Sequence, residues 1–121
     1  MHTYYDPLQV TSPKDCISNV TKVFDGGVGA NPFSIALVTW NGDVRVGMRW
    51  NVTLREWDDA SKASGSVVSV GEPNSRGYPT WFILPIELLG QLLSGSGVMA
   101  EAVREALDSI EPASEPVETH A

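Results

Sequence analysis

Residues 33–51, FSIALVTWNGDVRVGMRWN, leave the chain little choice of local fold. Asn41-Gly42 suits a two-residue type I′ turn, in which both central residues need positive φ. Closing the hairpin there sets Trp40 beside Asp43, Thr39 beside Val44 and Leu37 beside Val46. Ile35 then meets Met48, and Phe33 meets Trp50, so this face is apolar and turns to the core. The opposite face carries Val38 with Arg45, Ala36 with Gly47 and Ser34 with Arg49; it is small, polar and twice basic. The register follows from the two-residue side-chain period, because a slip of one residue would mix the faces.

The rest of the chain arranges itself around this hairpin. ISNVTKVFDGG reads as a preceding strand, and the loop GGVGANP follows it. TLREWDDASKASG is a polar connection with a short helix or strand at its start, SVVSV is a small strand candidate, and GEPNSRGYP is a loop. TWFILP is another strand, with Thr80, Phe82 and Leu84 on one face and Trp81 and Ile83 on the other. Pro85 opens a helix at little cost, since a first-turn N–H has no intrahelical acceptor. That helix stripes Leu88, Leu89 and Leu92, and stops at Gly95-Ser96-Gly97. A second helix carries Met99, Val103, Ala106 and Ile110 at helical spacing. The expected fold is α+β: an antiparallel sheet with a central hairpin, then two C-terminal helices, in one domain spanning 1–110. Residues 111–121 form an acidic, proline-containing tail expected to be disordered.

Composition narrows the chemistry. The formal charge is −7 over 121 residues, so the overall field disfavours nucleic acid and anionic membranes. Cys16 is the single cysteine, which rules out an internal disulfide and a thiolate metal cage and fits a cytoplasmic setting. MHTYYDPLQV lacks the basic flank and apolar core of a signal peptide. No apolar run approaches the ~20 residues that span a bilayer. Without a secretory signal, the N-x-T sites at Asn19 and Asn51 read as chance. Histidine occurs only at His2 and His120, both in expected loose ends. This disfavours a histidine base, a Ser-His-Asp triad and a histidine-rich zinc site. We therefore expect a protein that is not an enzyme and needs no cofactor.

The remaining candidates are for binding. DGGVGANP matches neither dinucleotide-binding nor P-loop spacing, and reads as a strand connection or, alternatively, a backbone-amide anion nest. Asp58-Asp59 reads as a solvated pair, with nothing nearby to complete a cation site. Arg45 and Arg49 share one strand face, which is either solvated or set for an anionic partner. Trp81 and Phe82 must point to opposite faces of their strand. Either both pack, with Trp81 and Ile83 under the C-terminal helices, or one ring, by preference Phe82, walls a pocket and Arg76 reaches a phosphate. Four tryptophans, Trp40, Trp50, Trp57 and Trp81, favour an interface or ligand site.

In layout, ALVTWNGDVRVGMRW with the later strand and PIELLGQLL resembles single-stranded-DNA-binding proteins of the PC-four and whirly type. That resemblance implies nucleic-acid binding on the Arg45/Arg49 face. The size, element order and aromatic and arginine content also resemble phage anti-defence sponges, the first type of Thoeris anti-defence protein. Those are small dimers that sequester cyclic ADP-ribose-type signals without cleaving them. That resemblance implies a homodimer or higher homo-oligomer holding a small anionic nucleotide, with SRGYPTWFILP and Arg104 at the pocket. The ligand-binding set expected on this basis is Arg76, Trp81, Phe82 and Arg104, with Arg45 and Arg49. A protein-interaction module is the third alternative.

Overall fold

A computed structural model describes residues 1–110; the tail expected to be disordered, together with His120, lies outside the described residues. The hairpin forms as its turn dictates. Asn41 and Gly42 both take positive φ, 50° and 90°. β2 (Phe33–Trp40) and β3 (Asp43–Trp50) pair from Trp40↔Asp43 through to Phe33↔Trp50. β1 (Ile17–Asp25) adds antiparallel to β2, and a two-residue β6 (Phe82–Ile83) adds to β3, giving the order β1-β2-β3-β6. Two helices follow, α3 (Ile86–Ser94) and α4 (Val98–Ile110), so the fold is α+β.

The helices cover the apolar hairpin face. Leu37 and Val46 pack with Leu89, Val103 and Ala106, edged by Ile35, Val44, Leu84, Leu92, Leu93 and Ile110. Each fully buried aliphatic side chain there is worth about 1.5–3 kcal/mol. The α3 stripe differs from expectation by one position. Leu89 is buried and Leu92 and Leu93 pack beside it, whereas Leu88 is exposed.

The opposite sheet face is not a solvated basic surface. Ser34, Ala36, Val38 and Arg49 are all buried on it. Trp81 packs there with Val10, Ile17, Ala36 and Val38, flanked by Tyr5, Val20, Trp40 and Ile83. Trp81 and Ile83 therefore pack away from the C-terminal helices, not under them. The Trp81 indole N–H donates to the Val10 carbonyl at 2.8 Å, which ties the segment before β1 over the sheet. Gly47 makes room for the ring: a Cβ there would lie 3.1 Å from Trp81 Cε3 and 2.8 Å from Val38 Cγ2.

Between β3 and β6 the chain makes a long excursion through α1 (Leu54–Trp57), α2 (Ala60–Ala63) and a small hairpin, β4 (Asn74–Ser75) with β5 (Tyr78–Pro79). SVVSV does not form a strand; it contributes one bridge, Tyr4↔Ser69. TWFILP is a strand only at Phe82–Ile83, because the Thr80 N–H bonds the Pro73 carbonyl and not a sheet neighbour. The N-terminal segment straps the excursion down. The Tyr4 hydroxyl donates to both oxygens of Asp25, at 2.9 and 3.0 Å. Burial, and then the Asp25 carboxylate, push the Tyr4 pKa up to about 12. Among the described residues no helix is long and apolar enough to cross a membrane.

Candidate functional site

Two buried charges organise the excursion: Arg49 holds it to the sheet, and Glu56 ties its parts to one another. Arg49 is 1% exposed. Its guanidinium donates to the carbonyls of Val70, Pro73 and Thr80. Burial lowers its pKa to about 10, with the Glu56 charge pulling it back up, so it stays charged at neutral pH. Glu56 sits in a capping box at the start of α1. The Thr53 side chain accepts from the Glu56 N–H, and Glu56 accepts from the Thr53 N–H at 3.0 Å. The same carboxylate accepts from the Val70 N–H at 2.8 Å, the Gly71 N–H at 3.1 Å and the Lys62 ammonium at 2.9 Å. Burial opposes its charge, yet Lys62 and these three backbone N–H groups hold its pKa below the ordinary carboxylate range.

This clamp seats Glu72 beside Trp50. The two exchange backbone hydrogen bonds of 2.7 and 3.0 Å. Gly71 permits it. Its φ is +74°, and a Cβ there would fall 2.0 Å from the Trp50 carbonyl oxygen. The result is an open cleft of about 640 Å³ between the glycine-rich β1–β2 connection and the excursion. Gly29, Ala30 and Pro32 wall one side; Val52, Leu54, Trp57, Arg55 and Glu72 wall the other; and Trp50 joins them. Loop 26–32 is thus a strand connection that also walls the cleft. Asn51 braces it, donating to the Gly27 carbonyl at 2.8 Å and accepting from the Ser34 hydroxyl at 2.9 Å.

Two aromatic rings face this space. Trp50 is 39% exposed and Trp57 46% exposed. Trp50, expected to face the core through Phe33, does meet that ring edge-on at 5.8 Å, but at the rim of the core. Trp57 already carries one stacked ring: His2 lies 4.4 Å away and nearly parallel, with its Nε2 3.2 Å from the Glu56 carbonyl oxygen. His2, expected in a loose end, is docked. A second, polar compartment of about 360 Å³ adjoins the cleft and shares Thr53, Arg55 and Glu72 with it. Glu56, Asp59, Lys62, Gly71 and Asn74 complete its lining. Asp59 caps α2 by accepting from the Ser61 and Lys62 N–H groups, and its hydrogen bond from the Ser61 hydroxyl helps hold its pKa low.

None of the six residues expected at a binding site lines either compartment. Arg49 and Trp81 are buried close together, each bonded to backbone carbonyls. Arg45 stands 3.6 Å from Asp43 near the hairpin turn. With Arg49 covered, these two do not form a surface that a nucleic-acid strand can lie on. Arg104 donates to the carbonyls of Leu93 and Gly95, closing the end of α3 against α4. Arg76 tips the β4–β5 turn, where Arg76 and Gly77 both take positive φ. Phe82 is the exposed ring of the Trp81-Phe82 pair, on the edge strand.

The residues that do line the cleft carried one local signal: Thr53-x-x-Glu56, a helix-start signature, sits between Trp50 and Trp57. Comparison of the chain with known protein families, with characterised proteins and with solved structures finds no match.

Proposed function

We propose that this protein binds and sequesters, without chemical conversion, a small nucleotide-class ligand in the cleft walled by Trp50 and Trp57. The observation that carries this reading is the pair of half-exposed indoles in a mainly apolar cleft of about 640 Å³. That volume falls in the range of small-ligand sites. A flat base gains on an indole face whatever its sequence of ring substituents, by about 1–3 kcal/mol per stacked base. His2 against Trp57 shows a heteroaromatic ring adopting this geometry within the chain. Arg55, exposed and without a side-chain partner among the described residues, supplies a cation for a single anionic group.

Calorimetric titration with adenosine monophosphate tests the site. Trp50→Ala and Trp57→Ala are each expected to weaken binding by about 10-fold or more, the value of one lost stack. Wild-type affinity in both variants would remove the cleft from consideration.

Association between copies is the second part of the proposal. Phe82, Ile86 and Leu88 are all exposed, within seven residues of one another where the sheet ends at β6. An apolar edge of this kind is suited to a symmetric partner. Light scattering should report a dimer that Phe82→Glu converts to monomer. A wild-type monomer at micromolar concentration would end that part.

A further inference from the structure

The charge lining the polar compartment narrows the ligand further, on the reading that a base stacks in the aromatic cleft. Arg55 and Lys62 are its cations; Glu56, Asp59 and Glu72 are its carboxylates, three against two. Lys62 is already engaged by Glu56 at 2.9 Å, and Glu56 is saturated by backbone donors. Asp59 spends one oxygen capping α2. What remains for a ligand is the Arg55 guanidinium, the Glu72 carboxylate, the second Asp59 oxygen and the Asn74 side-chain oxygen, against a compartment of net negative charge. A triphosphate is repelled here.

Glu72 has the position of a sugar reader. It lines both compartments, so it stands at the junction where a base in the aromatic cleft would meet its sugar. Its backbone is pinned by the exchange with Trp50, while its side chain is exposed and has no partner among the described residues. An acceptor-only carboxylate so placed takes hydrogen bonds from a vicinal diol, the way an acidic residue recognises a ribose 2′-hydroxyl. We propose that the cleft selects a ribonucleoside or its monophosphate, with the ribose diol on Glu72, one phosphate at most on Arg55, and discrimination against polyphosphates.

The test compares adenosine monophosphate, its 2′-deoxy analogue and adenosine triphosphate by calorimetry at about 0.15 M salt, where exposed charges beyond ~8 Å are screened. The monophosphate is expected to bind at least 10-fold tighter than either of the others. Glu72→Gln, at a side chain with no hydrogen bond or ion pair among the described residues, should melt like wild type, lose the ribose preference and narrow the gap to the triphosphate. Triphosphate binding as tight as monophosphate, or equal binding of the deoxy analogue, overturns this selectivity while leaving the aromatic cleft standing. Absence of binding by all three overturns the cleft reading and the selectivity with it.

Discussion

Arg49→Met is expected to destabilise the fold by about 3–5 kcal/mol, read as a lowered urea midpoint with an unchanged slope. The side chain is fully buried and supplies donors to three carbonyls from three separate points of the excursion: Val70, Pro73 and Thr80. Methionine fills similar space but donates nothing. The Val70 and Thr80 carbonyls lose this donor, at about 1–3 kcal/mol each, while the Pro73 carbonyl keeps the Thr80 N–H; the release of desolvation from the lost charge offsets only part of that. Arg49→Lys should fall between the two, since one ammonium cannot span the fork's reach. The same variants separate structure from binding. If Arg49→Met left stability intact and abolished ligand binding, the guanidinium would belong to the site and not to the scaffold.

Glu56→Gln is expected to cost about 2–4 kcal/mol at neutral pH. The carboxylate gathers the N–H groups of Thr53, Val70 and Gly71 and the Lys62 ammonium. An amide keeps one acceptor oxygen and turns the other position into a donor that faces donors. The pH dependence follows from the direction of the shift. Glu56 is held below the ordinary value of 4.5 in the folded protein. Its contribution is therefore complete above that value and disappears as pH falls through the lower folded pKa. Wild type and Glu56→Gln should differ most at neutral pH and converge in acid. A constant difference from pH 7 to pH 3 would show that Glu56 does not carry the effect. Loss of the clamp should also weaken ligand binding, because it is this clamp that holds Glu72 next to Trp50.

The hairpin was legible residue by residue, and both C-terminal helices in their extent and apolar face, save that Leu93 and not Leu88 packs on the α3 stripe. A two-residue turn with Asn-Gly imposes its own register, and an amphipathic stripe at helical spacing imposes its own buried face. Both signals are local, so the β2–β3 pairing and the Leu37/Val46 layer under α3 and α4 appear as the pattern requires. The Trp81-Phe82 pair was legible halfway. Strand alternation demands opposite directions for the two rings, and the structure buries Trp81 and exposes Phe82. The face each ring meets was not legible, because the partner of Trp81 is Val10, 71 residues away.

The candidate site was hidden for the same reason. Arg45 and Arg49 look alike in the sequence: two basic residues on one strand face. One ends near solvent beside Asp43, and the other lies beneath the excursion, bonded to its carbonyls. Nothing in strand periodicity encodes what will cover a face. Trp50 and Trp57 likewise line one cleft only because loop 26–32 and residues 52–72 close on the end of the hairpin. By itself the sequence determined the long strands β1 to β3, the two C-terminal helices, the hairpin register and the scarcity of histidine and cysteine, since these depend on neighbours a few residues apart or on composition alone. The tertiary structure decided that the second sheet face is interior, that Arg49 and Glu56 are scaffold, and that two indoles and Glu72 share a cleft. Those outcomes rest on contacts between distant segments, whose free energy comes from burial and from satisfying buried hydrogen-bonding groups, and no local pattern specifies it.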